Sequence, residues 1–355
     1  MSLLLPVLVQ AQYPTSFRQP HPMNWLHGTP VGETPGWKGE RWFFFELGQS
    51  NIWNAPLEMK DRKTGKTYTY EADYEQTTAV LEIGTAIEKK MAISLELPFA
   101  HRSGGFLDDF IEEFHDLLGT RHFNRHLHGQ NRSRFKTSTD GAEGYKDKDL
   151  TGISNIKPKL KWWAIHCKKS ESPACGVALS TQLKVPLQNN RQGGTNEKLE
   201  SSMLLHFGFP IFSRLDFWAT AGYTRLRRDE NMPGWPLLKN HTMFEINFDF
   251  AINDKWGIML MARTDSPYLD RERLEYIDSA TNARTRSNNR AASAWNSLIR
   301  WQGAESIGVR YRKKNTQTSV QLVEDWGIGN YDAANDIYSN GAPDFNFVIQ
   351  TSWTY

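Results

Sequence analysis

The sequence predicts an all-β protein, a single transmembrane antiparallel β-barrel of about twelve strands with long outer loops. Three observations favour this fold. Segments of alternating apolar and polar residues recur along the chain, their connections alternate between short and long, and aromatic residues collect at the segment ends. Alternation with a period of two is typical of a strand whose two faces meet different surroundings.

The clearest segment is Phe345 to Tyr355. One face carries Phe345, Phe347, Ile349, Thr351, Trp353 and Tyr355, and the other carries Asn346, Gln350, Ser352 and Thr354, with Val348 as the one apolar interruption. A terminal aromatic residue after such a strand is typical of outer-membrane barrels. A soluble sheet would show the same alternation, so the prediction depends on how often the pattern recurs.

Twelve alternating segments can be drawn along the chain, each close to the length that crosses a bilayer as a tilted strand. They are Trp42–Asn51, Thr78–Glu88, Met91–Ala100, Ile153–His166, Cys175–Pro186, Leu199–Phe209, Arg214–Leu226, His241–Ile252, Trp256–Thr264, Glu305–Lys313, Thr318–Asp325 and Phe345–Tyr355. Short connections alternate with long polar ones, and residues 52–77 are predicted to form the first long loop. Bacterial outer-membrane barrels have short periplasmic turns and long outer loops in this way.

Aromatic placement supports the same topology. Trp42, Trp162, Trp163, Trp256, Tyr311, Trp353 and Tyr355 fall at the short-turn end of the predicted strands, and Phe99, Tyr223 and Phe244 fall toward the other end. Aromatic residues gather at the two membrane interfaces of such barrels. We therefore expect the barrel to lie in the outer membrane with both termini in the periplasm.

Composition excludes some classes of protein. The chain has 42 basic and 40 acidic residues, a net charge of +2, so it carries no footprint of a nucleic-acid-binding protein. No stretch approaches the roughly 18 apolar residues of a membrane helix. The mean hydropathy of −0.60 is compatible with a barrel, because barrel strands hold apolar residues only at alternate positions.

Three regions follow from these patterns. Residues 1–11 are interpreted as a signal peptide. They lack the positively charged start that signal peptides have, which a start codon recorded too far downstream would explain. A buried N-terminal strand is the alternative. Residues 12–40, rich in Pro and Gly, are predicted to be a periplasmic lead-in or an inward-folded plug. Residues 41–355 are predicted to form the barrel.

Strand alternation also assigns faces. The predicted lumen charges are Glu82, Glu96, Lys157, Lys159, Lys161, Lys184, Glu245, Asp249, Arg310 and Arg312. An unpaired charge in a dry interior is very costly, so these groups must be hydrated or paired. Acidic and basic strands alternate around the barrel, which is compatible with a transverse field across a wet pore or with a closed network of ion pairs.

One run carries a family resemblance. The strand MAISLELPFAHR and the following SGGFLDDFIEEFHDLLG resemble an uncharacterised family of Gram-negative outer-membrane proteins, the domain of unknown function family 3187. The resemblance is expected from about Arg41 to Tyr355 and is supported by APDFNF near the C-terminus. It implies an outer-membrane β-barrel without an established activity. Gln350 stands where a common terminal barrel signal has glycine, although assembly by the barrel-assembly machinery through the C-terminal strand is still expected.

The same run predicts a short amphipathic helix in an outer loop. Phe106, Phe110, Ile111, Phe114 and Leu118 recur at helical spacing together with two further leucines, and acidic residues occupy the other face. The apolar stripe is expected to pack on other loops or in the barrel mouth as a lid, with lysines of the next strand near its carboxylates. Lying on the lipopolysaccharide leaflet is the alternative.

Reactive residues are few. Cys167 and Cys175 lie near the ends of one predicted hairpin, where either a local disulfide or two free thiols fits. No metal site, cofactor or catalytic set is predicted; in particular, none of the strand histidines has an evident serine and orienting partner.

The predicted function is a narrow porin-like conduit or a small-solute binding barrel, since about twelve strands lie between filled eight-stranded barrels and open porins. The alternatives are a sealed structural or surface-interaction barrel and, less favoured, an outer-membrane enzyme. Outer-membrane lipid and lipopolysaccharide are the expected partners, and nucleic acid is not.

Overall fold

The computed structural model describes residues 16–19, 21–37, 40–110, 113, 133–145, 150–167, 174–187, 195–277, 298–299, 301–324 and 345–355. A short helix, α1 (Pro22–Leu26), precedes the strands. The strands are β1 (Arg41–Asp61), β2 (Thr67–Glu88), β3 (Met91–Ser103), β4 (Arg134–Thr139), β5 (Ala142–Glu143), β6 (Leu150–Ile153), β7 (Asn155–His166), β8 (Gly176–Pro186), β9 (Glu200–Phe212), β10 (Leu215–Arg225), β11 (Asn240–Ala251), β12 (Trp256–Asp265), β13 (Leu274–Ile277), β14 (Gln302–Lys313), β15 (Thr316–Glu324) and β16 (Phe345–Thr354).

Twelve of the strands in these described ranges close into one antiparallel barrel, in the order β1-β2-β3-β7-β8-β9-β10-β11-β12-β14-β15-β16. The first strand closes it, because β1 pairs with both neighbours: Phe44 stands opposite Glu82 on β2 and opposite Ser352 on β16. The predicted fold is confirmed. Within the described residues, no helix is long and apolar enough to cross a membrane.

The two faces of the strands differ as alternation requires. On β9, Leu205 and Phe207 are exposed, whereas Leu204 and His206 are buried. Large apolar residues are exposed on the outward face of several strands, among them Ile83, Ile93, Leu179, Leu183, Phe244, Ile246, Phe250, Ile307 and Val309. Consequently, the barrel carries an apolar belt on its outside.

The barrel has two distinct ends. Short connections at residues 89–90, 213–214, 252–255 and 314–315 lie at one end, together with Cys167 and Cys175; we call this the turn end, and the other is the loop end. The barrel starts and finishes at the turn end, where the Glu40 backbone N–H donates to the Tyr355 carbonyl over 3.0 Å. Short turns of bacterial barrels face the periplasm.

Aromatic residues at the turn end divide into two groups. Trp162, Trp256, Tyr311, Trp353 and Tyr355 lie on the outward face, with the Trp256 and Tyr311 rings 4.8 Å apart. Trp42 and Trp163 point inward, so including them in the interfacial girdle was wrong. Trp42 shares strand parity with buried Phe44, and Trp163 packs on Trp37 at 5.6 Å.

The predicted loop at residues 52–77 is also wrong, because β1 and β2 continue through most of it and pair as far as Lys60 and Thr67. Polar residues interrupt the alternation in the sequence, yet one face of this extension is apolar and packs at the loop end. We call the resulting cluster the cap: Met23, Leu26, Ile52, Leu57, Met59, Tyr68, Tyr70, Ala72, Tyr74, Phe135, Tyr145, Leu226, Met232, Trp235, Tyr268, Leu269, Leu274, Leu298 and Ile299.

Residues 16–19 and 21–37 lie inside the barrel, and we call them the plug. The imidazole of His21 accepts from the Met23 N–H over 3.2 Å at the start of α1. The helix ends at Leu26, and Gly28, two residues later, has a φ of +56° that favours glycine. Met23 and Leu26 place α1 in the cap, and the chain then returns to Trp37 at the turn end. The plug therefore spans the lumen from the cap to the turn end.

Candidate functional site

The ten charges predicted to face the lumen all lie buried on the inner face of the strands that carry them. They come from β2, β3, β7, β8, β11 and β14. Closure of the barrel brings residues far apart in sequence into contact: Glu96 on β3 stands opposite Lys157 on β7 in the strand register. The site is therefore built by rigid strands rather than by loops.

Wall charges pair with one another. Lys157 Nζ lies 3.1 Å from Glu96 Oε1, and Lys159 Nζ lies 3.3 Å from Glu82 Oε2. Across the barrel, a second group joins Asp249 to Arg310 Nε at 2.6 Å and to Arg312 Nη2 at 2.5 Å. Each pair offsets the cost of holding a charge away from water. Of the two arrangements left open by the sequence, the described side chains form the network of ion pairs.

Further buried wall charges were not singled out in the sequence, among them Glu46, Glu200, Arg263 and Asp265. Arg263 Nε donates to Asp265 Oδ2 over 2.7 Å, and Arg263 Nη1 lies 3.9 Å from Glu245. A signal for them was present, because each has the same strand parity as buried residues of its own strand.

The plug inserts one charge of each sign into the turn-end half of the lumen. Arg18 lies between two carboxylates, with Nε 3.2 Å from Glu46 and Nη2 2.6 Å from Glu96. Glu33 contacts Lys159 and lies 3.0 Å from Lys161. No sequence period marks Arg18 and Glu33, because the plug has neither helical nor strand alternation over most of its length.

Closer to the loop end, the plug is held mainly by hydrogen bonds. His27 Nδ1 lies 2.8 Å from Glu200 Oε1, and Lys184 Nζ donates to the Leu26 carbonyl over 2.9 Å. The rings of His27 and Tyr268 stack at 5.6 Å, and the Tyr268 hydroxyl donates to Asn24. These contacts fix α1 to two wall strands and to a loop of the cap.

One apolar contact and one amide anchor the start of the plug. Phe17 packs with Met261, Ala304, Val323 and Val348. This contact explains the apolar interruption in the inward face of β16. Two residues further along that strand, Gln350 Nε2 donates to the Ser16 carbonyl over 2.5 Å.

Little open volume remains in the described part of the lumen. Cavities between the plug and the wall include three with volumes of about 20, 30 and 30 Å³, each close to the space of a single water molecule. Arg18 and Glu33 line one of them together. The described arrangement is therefore a filled barrel.

The predicted lid helix is described only in part. Residues 107–110 are helical, with Phe106 and Phe110 exposed and Leu107 buried; Asp108 accepts from Asn51 over 3.1 Å. Ile111, Phe114 and Leu118 lie outside the described residues. The lysines expected near this helix contact carboxylates of the plug and wall instead. A lid role for the helix stays a prediction.

Cys167 and Cys175 form a disulfide, with their Cα atoms 5.6 Å apart. It closes the connection between β7 and β8 at the turn end. The thiol alternative considered from the sequence is not the state in the structure. The bridge joins Cys167, directly after β7, to Cys175, directly before β8, and Cys175 is buried together with Ala174.

One pairing was missed in the sequence: Ser180 Oγ lies 2.8 Å from His206 Nε2. His206 Nδ1 lies 3.0 Å from Thr220 Oγ1, where hydrolases place a carboxylate to stabilise the imidazolium. All three side chains are buried behind the plug, and the Glu33 N–H donates to Thr220 over 3.3 Å. The hydrogen bond between Ser180 and His206 therefore gives each of these buried polar side chains a partner.

A carboxylate in an unusual setting contacts the cap. Asp229, in the loop after β10, accepts a hydrogen bond from the Tyr145 hydroxyl, and both side chains are buried. Burial raises the pKa of Asp229 above its ordinary value, although the hydrogen bond from Tyr145 opposes this shift. Burial likewise raises the pKa of Tyr145, so its hydroxyl remains a donor.

The described residues contain no group of three or more His, Cys, Asp or Glu side chains arranged to hold a metal ion. The lumen residues can bind charged and hydrogen-bonding groups and hold a segment of chain in place. Together with the apolar belt and the outward aromatic residues, the closed barrel makes this an outer-membrane β-barrel.

Comparison with solved structures finds several outer-membrane barrels. The COG4313 outer membrane channel from Pseudomonas putida F1 is 7% identical, with a TM-score of 0.49 over 90% of this chain and 96% of that one. The NanC porin is 6% identical, with a TM-score of 0.41 over 88% and 100%. A Pseudomonas aeruginosa FadL homologue is 8% identical, with a TM-score of 0.41 over 97% and 99%.

A search of curated proteins found no match. A family model described as protein of unknown function (DUF3187) matches residues 22–271. The match begins within α1 of the plug, earlier than the resemblance expected from Arg41, and stops before β14, so it does not include the APDFNF run. Because it covers more than half of the sequence, the chain belongs to the DUF3187 family.

Proposed function

We propose that this protein is a plug-gated outer-membrane conduit for small polar solutes, closed while the plug occupies the lumen. The observation that carries the proposal is that a separate segment fills an otherwise polar barrel. The inner wall includes Gln182, Ser202, Thr224, Asn247, Ser306, Ser319, Gln321, Gln350 and Ser352. Such a wall would line a wet passage if the plug left.

Barrel size supports this reading. Eight-stranded barrels fill their interiors with wall side chains, whereas a twelve-stranded wall encloses more space than its own side chains occupy. Here the plug takes up that space and contributes Arg18 and Glu33 to the ion pairs. Water can replace polar contacts of this kind more readily than it can replace the contacts of an apolar core. This favours a plug that moves over one that stays fixed in the lumen.

Planar-bilayer conductance tests the proposal. Wild-type protein should show rare or no channel steps, and deletion of residues 16–37 should give frequent, stable steps. Folding of the deletion variant is checked by the shift in electrophoretic mobility on heating, which reports an intact barrel. A deletion variant that keeps this shift and conducts no better than wild type contradicts the conduit.

A sealed structural or surface-interaction barrel is the second candidate, and the cap favours it. Met59, Tyr68 and Trp235 are buried at the loop end together with α1, and this apolar cluster would still cover the mouth after the plug was removed. The same deletion separates the two functions. In a sealed barrel, conductance appears only after the cap is also removed.

Partners follow from the location. We propose that the loop end meets lipopolysaccharide and that β16 is read by the barrel-assembly machinery. Terminal Tyr355 is exposed beyond β16, and Arg134 is partly exposed at the loop end, where it pairs with Glu71 at 3.2 Å. Pull-down of the assembly machinery by the wild-type chain, reduced when β16 is truncated, tests the second partner.

A further inference from the structure

The plug offers one cation and one anion to a single chamber. Arg18 and Glu33 line the same cavity of about 30 Å³ in the turn-end half of the lumen. The wall of this cavity includes Trp42, Phe44, Glu46, Glu82, Glu96 and Lys159. Both plug charges thus lie side by side in this cavity, and the wall charges around them come from four different strands.

The acidic side of the chamber holds a guanidinium. Glu46 on β1 and Glu96 on β3 contact different nitrogens of Arg18, at 3.2 and 2.6 Å. Two carboxylates around one planar cation is the geometry that guanidinium recognition uses. Because both glutamates belong to the closed barrel, this acidic subsite persists when the plug leaves.

The basic side holds a carboxylate. Lys159 and Lys161, both on β7, contact the two oxygens of Glu33. Lys161 Nζ also donates to the Thr34 carbonyl over 2.5 Å. Departure of the plug would leave Lys161 without this carboxylate, although Lys159 would keep Glu82 at 3.3 Å.

The strand register sets the spacing of the two subsites. Glu96 stands opposite Lys157, and Lys159 and Lys161 follow two and four residues later on β7, which places their Cα positions about 7 and 14 Å farther along the strand. A small solute with a cation and a carboxylate separated by about the shorter of these distances would span both subsites.

We propose that this chamber binds a small zwitterion, whose guanidinium or ammonium replaces Arg18 and whose carboxylate replaces Glu33. The plug is then a tethered competitor for the site. This assignment rests on the proposed function, since a solute reaches the chamber only when the plug moves. The affinity of the wild-type protein for the solute is lowered by the fraction of time that the plug is bound.

L-Arginine is a suitable probe, because it carries both groups at a comparable spacing. Isothermal titration in detergent would compare it with agmatine, which lacks the carboxylate, and L-citrulline, which lacks the side-chain charge. In the double variant Arg18→Gln/Glu33→Gln, L-arginine should bind at least tenfold more tightly than either analogue and at least tenfold more tightly than it binds to wild type.

A matched control removes an ion pair in which the wall supplies both partners. The Asp249→Asn/Arg312→Gln variant makes the same kind of charge change at a pair joined over 2.5 Å. It should bind L-arginine no better than wild type does. Equal affinity for the three probes, or equal gains in both double variants, overturns the proposal.

Single variants keep the test decisive if the double variant does not assemble. Arg18→Gln frees the acidic subsite and should bind agmatine at least tenfold more tightly than wild type does, whereas Glu33→Gln should show the same gain for acetate. Absence of both gains in variants with heat-modifiable mobility overturns the site. Conductance of the plug deletion without selective L-arginine binding leaves the conduit standing and removes only the binding site.

Discussion

Gln350 of the last strand and Glu46 of the first stand directly opposite each other where the barrel closes. Gln350 Nε2 donates to Glu46 Oε2 over 2.9 Å and also to the Ser16 carbonyl of the plug. A single amide therefore joins both edges of the closing sheet to the segment inside it. Glycine, which often occupies this position in terminal barrel signals, has no side chain to make these bonds.

Replacing Gln350 by methionine should destabilise the closed barrel. The change keeps a similar volume but removes both donated hydrogen bonds, leaving a buried oxygen of Glu46 without this donor. Loss of one partner of a buried hydrogen bond costs about 1–3 kcal/mol. Urea unfolding in lipid vesicles should show this decrease in the free energy of unfolding; an unchanged midpoint contradicts the role of the amide.

Placing a charge on the outer wall should cost more. Ile307 lies midway along β14 on the outward face, and the residue is 56% exposed. Arginine at the bilayer midplane destabilises a barrel by about 2–4 kcal/mol. Ile307→Arg should lower the free energy of unfolding in vesicles by that amount, and Ile307→Ala, the control for lost packing, should lower it less. Equal effects of the two substitutions are incompatible with a lipid-facing position.

The disulfide should contribute to stability without being needed for assembly. It closes a short loop with a sequence separation of 8, for which loop-closure entropy gives about 2.5 kcal/mol. A Cys167→Ser/Cys175→Ser variant should still show heat-modifiable mobility but unfold at lower urea. Mass spectrometry should find both wild-type cysteines alkylated only after reduction, and rapid alkylation without reductant argues against the bridge.

Strand facing was the most predictable part of this fold. A barrel wall separates lipid from lumen, so strand segments inside the wall alternate between the two faces, and the ten lumen charges could be assigned by parity alone. The same alternation, applied to the aromatic residues, predicts that Trp42 points inward, since it is two residues from buried Phe44. The girdle prediction used position along the strand without side-chain direction, and for that reason it failed at Trp42.

The plug and the extended hairpin lacked such a period. Arg18 and Glu33 acquire their roles only through wall residues that are distant in sequence, and local pattern carries no signal of that contact. In β1 and β2, the charged turn near Lys63 and the polar residues between strands resemble loop composition. Tyr68 and Tyr70 nevertheless alternate inward and pack in the cap, so tertiary packing decides their conformation.

Acidification should strengthen the cap. The pKa of Asp229 is raised mainly by burial, so the folded cap favours the protonated carboxyl. The contribution of Asp229 to the stability of the cap is fully present below the ordinary aspartate pKa. It is lost as the pH rises through the raised pKa of Asp229 in the folded protein. Hydrogen-exchange protection of residues 133–145 and 226–239, corrected for intrinsic rates, should be higher at pH 4 than at pH 7. Asp229→Asn should reduce this difference, and a difference of the opposite sign rules out Asp229 as its source.

The apolar contact between Phe17 and Val348 should set how often the plug leaves its position. Phe17 is fully buried in a lumen that is otherwise mainly polar, and Val348 is the residue of β16 that breaks the polar face. Removing a buried phenylalanine side chain costs about 3–5 kcal/mol. Phe17→Ala should therefore raise hydrogen exchange of residues 21–37 by about a hundredfold or more, since each 1.4 kcal/mol is about tenfold.

Val348→Thr gives a finer test, because it nearly preserves volume and places a hydroxyl against the Phe17 ring. Plug exchange should rise by about tenfold, the effect of burying a hydroxyl at a cost of about 1–3 kcal/mol. Val320→Thr is the matched control: Val320 lies on neighbouring β15 and faces outward, and the residue is 41% exposed. The control should leave plug exchange unchanged. Equal plug exchange in both threonine variants would show that the Val348 contact does not hold the plug, and the polar contacts of Arg18 and Gln350 would then be its main anchors.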